Sequence, residues 1–180
     1  MLELLERKEE QAGSGVAIVH FDGLNEPINP GGVACWGYVI EYGSTVIRNH
    51  GVFGAGMLGH KTTNNMAEYT GLIKSLEYLL ALGFKGNLKV FGDSQIVINQ
   101  MNGVYSVNSE LLLPLYEKAS LLVGQFFRVS FTWVPREQNA EADEQTNIAY
   151  REFFKEHEAD FLKYYKKYLW SEKQHQFLGL

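Results

Sequence analysis

Four acidic residues, each inside a short signature, are the side chains of this sequence best suited to metal binding and catalysis. Asp22 and Asp93 each end an apolar run that predicts a buried strand. Glu68 and Asp143 lie in the first turns of two predicted helices. Because strand ends and helix starts meet at the crevice of an α/β sheet, we expect the four carboxylates to converge there. Converging carboxylates repel one another unless divalent cations lie between them, so the pattern predicts a metal site.

The ligand set indicates which metal such a site would hold. Oxygen ligands with no accompanying cysteine favour Mg²⁺ or Mn²⁺ over zinc. Two ions about 4 Å apart would activate an attacking water and stabilise the leaving oxygen of a hydrolysis. Taken singly, each acid is equally well explained as an ordinary helix-N-terminal acid or turn aspartate. Their occurrence together, in four ordered signatures, favours the metal site.

The composition narrows the class of protein. The 180 residues suit one domain with a sizeable core and a small appendage. No apolar run reaches the roughly 20 residues of a membrane span, and the acidic N-terminal stretch does not resemble a signal peptide. The single cysteine, Cys35, excludes an internal disulfide and favours a reducing, cytoplasmic setting. The net charge of −5 argues against a nucleic-acid partner, although bound cations would neutralise part of it.

Hydrophobic periodicity predicts a mixed α/β order with helices covering the sheet. Thr62 or Thr63 is the predicted cap of the first helix, Asn108 of the third and Asn139 of the fourth. The prolines and glycines of 25–32 predict a loop. The predicted strands are 16–21, 34–41, 45–53, 87–91 and 128–134, and the predicted helices are 65–82, 95–101, 108–123 and one from 139 through 150, with a continuation to 170 left open.

Four motifs, in this order along the chain, resemble those of ribonuclease H type 1, in its compact archaeal and plant-like branch. Each motif contains one of the four acids, and the resemblance covers about residues 15–150. Any one motif alone would be weak, whereas all four at spacings that fit the predicted elements are specific. The motifs are Asp22-Gly23, Thr-Asn-Asn-Met-Ala-Glu-Tyr at 63–69, Gly-Asp-Ser-Gln at 92–95, and Val-Pro-Arg-Glu-Gln-Asn at 134–139 followed by Ala142-Asp143.

The resemblance implies both a fold and a reaction. The fold is a ribonuclease H-like five-stranded mixed sheet, order 3-2-1-4-5, flanked by helices. The reaction is endonucleolytic hydrolysis of the RNA strand of an RNA–DNA hybrid with two Mg²⁺ or Mn²⁺ ions, leaving 3′-hydroxyl and 5′-phosphate ends. The predicted organisation is an N-terminal arm or short helix at 1–14, a catalytic domain at 15–150 and a C-terminal helical extension and tail at 151–180.

Arg136 occupies the loop where many family members carry a mobile histidine. A guanidinium stays charged near neutral pH, so Arg136 cannot act as a general base. Two interpretations stay open for it. One is a catalytic contact with the scissile phosphate or with the departing product and metal, and the other is a solvated loop arginine.

The same resemblance predicts a set of substrate contacts. Asn64 and Asn65 match positions at the minor groove of the hybrid, where an amide suits a 2′-hydroxyl, although helix capping explains them too. Lys61 matches a pocket for a DNA-strand phosphate, yet a lone loop lysine is usually just solvated. Tyr105 either packs on a deoxyribose or plugs the core. The full predicted set is Gly23, Lys61, Thr63, Asn64, Asn65, Gln95 and Tyr105.

The C-terminal extension has two interpretations. An aromatic face predicts a helix docked on the body, whereas exposed lysines beside it would suit a grip on substrate phosphates. The last four residues, 177–180, are either a frayed end or a peptide for a replication-protein partner. The aromatic face comprises Phe154, Phe161, Tyr165 and Tyr168, and the lysines are Lys163, Lys166 and Lys167.

Several single residues are assigned to the interior or away from the site. Trp36 and Trp133 lie in strand patterns and are expected in the core, and Cys35 is expected to be buried. His20 is expected to point away from the site, on the opposite strand face from Asp22.

Competing functions remain open from the sequence. The chain lacks the basic protrusion that many bacterial relatives insert after the fourth strand, and branch members without it can also cleave duplex RNA. A related nuclease acting on duplex RNA or branched DNA is one alternative. A non-catalytic nucleic-acid or protein-binding module on the same fold is another, although clustered acids that repel phosphate disfavour it.

Overall fold

Five strands form one mixed sheet of order β3-β2-β1-β4-β5 in the computed structural model, which describes residues 15–169 and 171–180. β1 pairs antiparallel with β2, β2 antiparallel with β3, and the β1–β4 and β4–β5 pairs are parallel. The predicted order 3-2-1-4-5 is therefore confirmed. The predicted arm at 1–14 lies outside the described residues. The strands are β1 (Val16–Glu26), β2 (Val33–Tyr42), β3 (Thr45–Ala55), β4 (Asn87–Gly92) and β5 (Arg128–Trp133).

Helices of the described residues cover both faces of this sheet. The Thr63 hydroxyl caps the first helix by accepting from Met66 N at 3.3 Å, and the Ser94 hydroxyl caps the second by accepting from Val97 N at 3.4 Å. None of the described helices is long and apolar enough to cross a membrane. The helices are α1 (Asn64–Ala81), α2 (Gln95–Met101), α3 (Leu113–Val123), α4 (Ala140–Tyr165) and α5 (Glu172–Leu178).

Two predicted boundaries are wrong. The third helix begins at Leu113 rather than after Asn108, with Pro114 in its first turn, where the fixed φ of proline suits a helix start. β1 continues to Glu26 instead of ending at Phe21, because the residues at its end still pair with the start of β2. The predicted loop is thus shorter, and it contains cis peptide bonds before Pro27 and Pro30.

A hydrophobic core lies on each face of the sheet. On one face, alternating residues of β1 pack against α1, and Trp36 packs on this core half-buried. On the other face, α4 and α5 cover Val33, Ala55 and Cys35, and the thiol is buried as predicted. Trp133 was expected in the core, but it is 43% exposed because it lies at the end of the edge strand β5.

The C-terminal extension packs on the core that contains Val33, Cys35 and Ala55, which we call the second core. Phe154, Phe161 and Tyr165 of α4 are buried there, which confirms the predicted aromatic face. α4 is kinked at His157, where the backbone leaves the helical conformation (φ −127°, ψ 22°). α5 packs back with Phe177 stacked on Tyr150, ring centroids 6.2 Å apart, so the expectation of a frayed end is wrong.

Candidate active site

Three of the four signature acids converge at the point where β1 and β4 open onto the start of α1. Asp22 lies on β1 opposite Gly37, Asp93 directly follows β4, and Glu68 lies in the second turn of α1. One carboxylate oxygen from each comes within 4.8 Å of the other two. We call Asp22, Glu68 and Asp93 the carboxylate cluster.

The cluster depends on a very close approach between β1 and α1. A Cβ built on Gly23 would lie only 2.1 Å from the backbone nitrogen of Glu68. Any side chain at that position would therefore push the helix away from the strand. This contact holds Glu68 beside Asp22. Gly23 thus has a packing role, and its predicted substrate contact stays a prediction.

Burial makes the cluster electrostatically unfavourable without cations. Asp22 and Glu68 are 5% and 4% exposed. Burial, followed by the nearby Asp93 and Asp143 carboxylates, raises the pKa of Asp22 to about 8. Burial, followed by Asp22 and Asp93, raises the pKa of Glu68 well above its usual range. In the metal-free protein the Asp22 carboxyl therefore favours its protonated form near neutral pH.

The donor set of the cluster fits hard divalent cations. Glu68 Oε1 accepts from the Asn64 side-chain amide at 3.4 Å, whereas its buried Oε2 has no hydrogen-bond partner within residues 15–169 and 171–180. A buried carboxylate oxygen without a donor is costly unless something cationic contacts it. Carboxylate oxygens alone form the ligand type that Mg²⁺ and Mn²⁺ prefer.

Asp143 lies beside the cluster but outside it, and its carboxylate is already paired. Arg136 donates to Asp143 Oδ1, and the Asn147 amide donates to Asp143 Oδ2 at 2.9 Å. The hydroxyl of Thr146 links the two regions, because it lies 3.2 Å from Asp22 Oδ2 and 2.8 Å from the Asp143 carbonyl oxygen. Although partial burial opposes it, the neighbouring Asp143 raises the pKa of Arg136. Asp143, the fourth acid, therefore lies next to the cluster with its charge compensated by Arg136.

Asn139 occupies the predicted N-cap position of α4, and its carbonyl oxygen accepts from Asp143 N at 3.0 Å. Its side chain makes no cap hydrogen bond to α4. Instead the amide donates to the Phe21 carbonyl at 2.9 Å and to Asp93 Oδ1 at 3.4 Å. Because Asn139 is 1% exposed, it fixes the start of α4 against β1 and orients Asp93.

His20 also belongs to the surroundings of the site, contrary to the expectation that it points away. Its Nδ1 lies 3.3 Å from Asn139 Oδ1, and its ring stacks on Phe91 with centroids 5.0 Å apart. Residues two apart on a strand share a face, so His20 and Asp22 project to the same side of β1. The alternation of side chains along β1 could therefore have predicted that His20 lies on the face of Asp22. Similarly, Thr146 and Asn147 follow Asp143 at i+3 and i+4, the spacing that places helical neighbours on one side.

Trp133 supports the cluster from the edge strand. Its indole Nε1–H donates to the Asp93 carbonyl oxygen at 2.9 Å. The backbone that carries Asp93 is therefore held from β5, while its carboxylate is oriented by Asn139.

The residues predicted to contact substrate differ in their exposure to solvent. Thr63, Asn64 and Asn65 lie together at the start of α1, all half-buried. Lys61 and Gln95 are exposed, on the loop before α1 and at the first turn of α2. Tyr105 is 48% exposed, so the core-plug interpretation is wrong. The substrate contacts themselves stay predictions.

Comparison with known proteins places the chain among related domains. The family model described as "Reverse transcriptase-like" matches residues 43–149. The bifunctional protein Rv2228c of Mycobacterium tuberculosis is 43% identical over 89 residues, which are 49% of this chain and 24% of that protein. This chain therefore aligns with only about a quarter of the length of that curated relative.

Solved structures match more of the chain. RNase H1 from the halophilic archaeon Halobacterium salinarum is 33% identical, with a TM-score of 0.68 over 77% of this chain and 99% of that one. LC11-RNase H1, solved in complex with an RNA/DNA hybrid, is 33% identical, with a TM-score of 0.65 over 74% of this chain and 95% of that one. Since the family model covers more than half of the chain and these type 1 enzymes are matched over nearly their whole length, the chain belongs to the ribonuclease H type 1 family.

Proposed function

We propose that the protein is an endoribonuclease that hydrolyses the RNA strand of RNA–DNA hybrids and leaves 3′-hydroxyl and 5′-phosphate ends. The observation that carries the proposal is the buried carboxylate cluster, whose Glu68 lacks a donor for Oε2 among the described residues. Family membership supports the choice of nucleic acid, because a relative was solved with an RNA/DNA hybrid.

Divalent cations held by Asp22, Glu68 and Asp93 would supply a nucleophile at neutral pH and stabilise the leaving 3′-oxygen. Mg²⁺ and Mn²⁺ are the proposed ions, two per site, with Asp143 as the fourth ligand. In binding an ion, Asp143 would exchange its contact with Arg136 for one with the metal. The released guanidinium would then be free to bind the scissile phosphate as a bidentate donor.

Other residues of the chain would keep the carboxylates in place during the reaction. Asn139 orients Asp93, Thr146 donates to Asp22, and Asn64 donates to Glu68. These donors would hold the acids in the orientation that bound cations need. Ligand orientation of this kind typically affects metal affinity and activity.

The experiment is cleavage of three labelled duplexes by the wild-type protein, each with Mg²⁺, with Mn²⁺ and with a chelator. We expect the RNA strand of the hybrid to be cut, the DNA strand and duplex DNA to stay intact, and the chelator to stop the reaction. Duplex RNA is the third substrate, and cleavage of it at the hybrid rate would replace hybrid specificity by a broader RNA-strand specificity. Metal-independent cutting, or cutting of duplex DNA alone, would refute the proposal.

A further inference from the structure

A hydrogen-bonded path connects the C-terminal extension with the carboxylate cluster. Tyr165, fully buried at the end of α4, donates its hydroxyl to the Gly31 carbonyl oxygen at 3.0 Å. The same hydroxyl oxygen accepts from the backbone N–H of Met57 at 3.0 Å. The tyrosine thereby ties loop 27–32 to the turn that follows β3. Tyr165 lies outside the family model, which ends at residue 149.

Loop 27–32 is in turn tied to the start of α1. The Gly31 N–H donates to the Thr62 carbonyl oxygen at 3.0 Å, and the Thr62 hydroxyl donates to the Gly32 carbonyl oxygen at 2.9 Å. Within the same loop, Asn29 Oδ1 accepts from the backbone N–H of Asn64 at 3.1 Å. The Asn29 side chain therefore accepts from a first-turn N–H of α1, a group that has no acceptor within the helix itself.

The path ends at a member of the carboxylate cluster. The side-chain amide of Asn64 donates to Glu68 Oε1 at 3.4 Å. Asn64 thus has its backbone fixed by Asn29 and its side chain directed at Glu68. A displacement of loop 27–32 would therefore shift both a predicted substrate contact and a carboxylate of the cluster.

We propose that Tyr165 is a positioning residue for the site. Its hydroxyl holds loop 27–32, and through that loop holds Asn64 and Glu68 in the arrangement that binds substrate and cation. The inference rests on the proposed function, since cleavage kinetics provide one of its two readouts. The extension then sets the geometry of the site in addition to closing the second core.

The test is Tyr165→Phe, which removes the hydroxyl and keeps the ring in the second core. We expect the KM for the hybrid and the Mg²⁺ concentration for half-maximal rate to rise by roughly three- to tenfold, the effect of losing one hydrogen bond. The kcat at saturating hybrid and Mg²⁺ should change less than twofold. Tyr164→Phe is the matched control, because Tyr164 is 51% exposed and lies outside the path, and it should change neither constant.

A second control separates positioning from general loss of stability. Phe161→Leu weakens the same core and leaves both hydrogen bonds of the Tyr165 hydroxyl in place, since Phe161 packs against the Tyr165 ring with centroids 4.9 Å apart. We expect it to lower the Tm while leaving both constants unchanged at temperatures well below the Tm. If Phe161→Leu raised the KM as much as Tyr165→Phe does, the role of Tyr165 would be structural only, and the proposal would fall.

Amide hydrogen exchange supplies a readout that does not need activity. In Tyr165→Phe, the N–H groups of Gly31 and Asn64 should exchange several-fold faster than in the wild type, and Tyr164→Phe should leave them unchanged. Faster exchange in a protein whose wild type cuts no hybrid would support the positioning role and refute the proposed function alone. An active wild type with unchanged KM and half-maximal Mg²⁺ concentration in Tyr165→Phe would overturn the proposal.

Discussion

Burial has opposite consequences at the two ends of α4. Its first turn adjoins the carboxylate cluster, where burial raises the pKa of Asp22 and Glu68 and leaves Glu68 Oε2 without a donor among the described residues. Its far end buries Phe161 and Tyr165, whose ring centroids lie 4.9 Å apart, and the Tyr165 hydroxyl both donates and accepts a hydrogen bond. The first end should destabilise the metal-free protein and carry the chemistry. The far end should stabilise the fold, so mutations at the two ends should separate activity from stability.

The largest expected effect is loss of activity from the first end. Asp93→Asn should lower kcat on the hybrid by roughly a thousandfold or more, because removing a cluster carboxylate misplaces a cation. Initial rates with labelled hybrid in Mg²⁺ measure it. Glu137→Gln, an exposed acid of the nearby loop, is the control and should keep the wild-type rate. A near wild-type rate for Asp93→Asn would remove the cluster from the mechanism.

The matching change at the far end should affect stability instead. Phe161→Ala should lower the free energy of unfolding by about 3 to 4 kcal/mol, the usual cost of removing a fully buried ring. Urea unfolding of the variant and of Tyr164→Ala, an exposed neighbour, provides the comparison. At a temperature where Phe161→Ala is folded, its kcat should lie within twofold of the wild type. Normal stability combined with lost activity would contradict the division between the two ends.

Neutralising a buried acid should make the metal-free protein more stable at high pH. The pKa of Asp22 is about 8 in the folded protein and near 3.8 in an unfolded chain, so the folded state holds the extra proton between those values. The contribution of the protonated Asp22 to the free energy of unfolding is therefore fully present below about pH 3.8, and it is lost as the pH rises through about 8.

Asp22→Asn removes that loss and should raise the free energy of unfolding at pH 8.5 by at least about 2 kcal/mol, since each unit of the pKa shift is worth about 1.4 kcal/mol. The corresponding rise in Tm is roughly 4 to 8 °C for a protein of this size. Thermal unfolding with a chelator, compared at pH 5 and pH 8.5, measures the effect, which should shrink at the lower pH. Equal destabilisation at both pH values would show that Asp22 is stabilising in the metal-free fold.

The smallest expected effect comes from Arg136, the partner of Asp143. Arg136→Ala should lower kcat by roughly tenfold, the value of one charge-assisted hydrogen bond. The pH–rate profile should keep its shape, because arginine stays charged throughout the range. Arg136→Lys retains the charge without the bidentate fork, so an intermediate rate would show that geometry contributes. Disappearance of an ionisation near pH 7 in Arg136→Ala would mean that Arg136 tunes a titrating group.

Most element boundaries follow from local patterns, whereas the sheet order followed from the resemblance that the motifs carry. The Gln95–Met101 helix and the Tyr42–Thr45 hairpin turn, for example, agree with hydrophobic periodicity and turn residues. The start of α3 was mispredicted because a polar cap signal at Asn108 outweighed Pro114. The extension of β1 depends on pairing with β2, which a local pattern does not contain.

The acids of the candidate site could be predicted from the sequence, whereas most of the residues that orient them could not. Each acid lies in a local motif, whereas the contacts of Asn139 join residues more than 40 positions apart. Alternation along β1 would have placed His20 on the face of Asp22. No local signal would have connected Tyr165 with loop 27–32, because that contact spans 134 positions.

The most direct test of the account is the number of protons released when cations bind. At pH 7 the raised pKa of Asp22, about 8, implies that the metal-free cluster holds a proton, which cations must displace. Calorimetric titration of Mn²⁺ into the protein, in two buffers of different ionisation enthalpy, counts them. We predict release of about one proton or more per chain in the wild type, and less in Asp22→Asn. Cation binding without proton release in the wild type would contradict the central claim that burial keeps the cluster protonated until metal arrives.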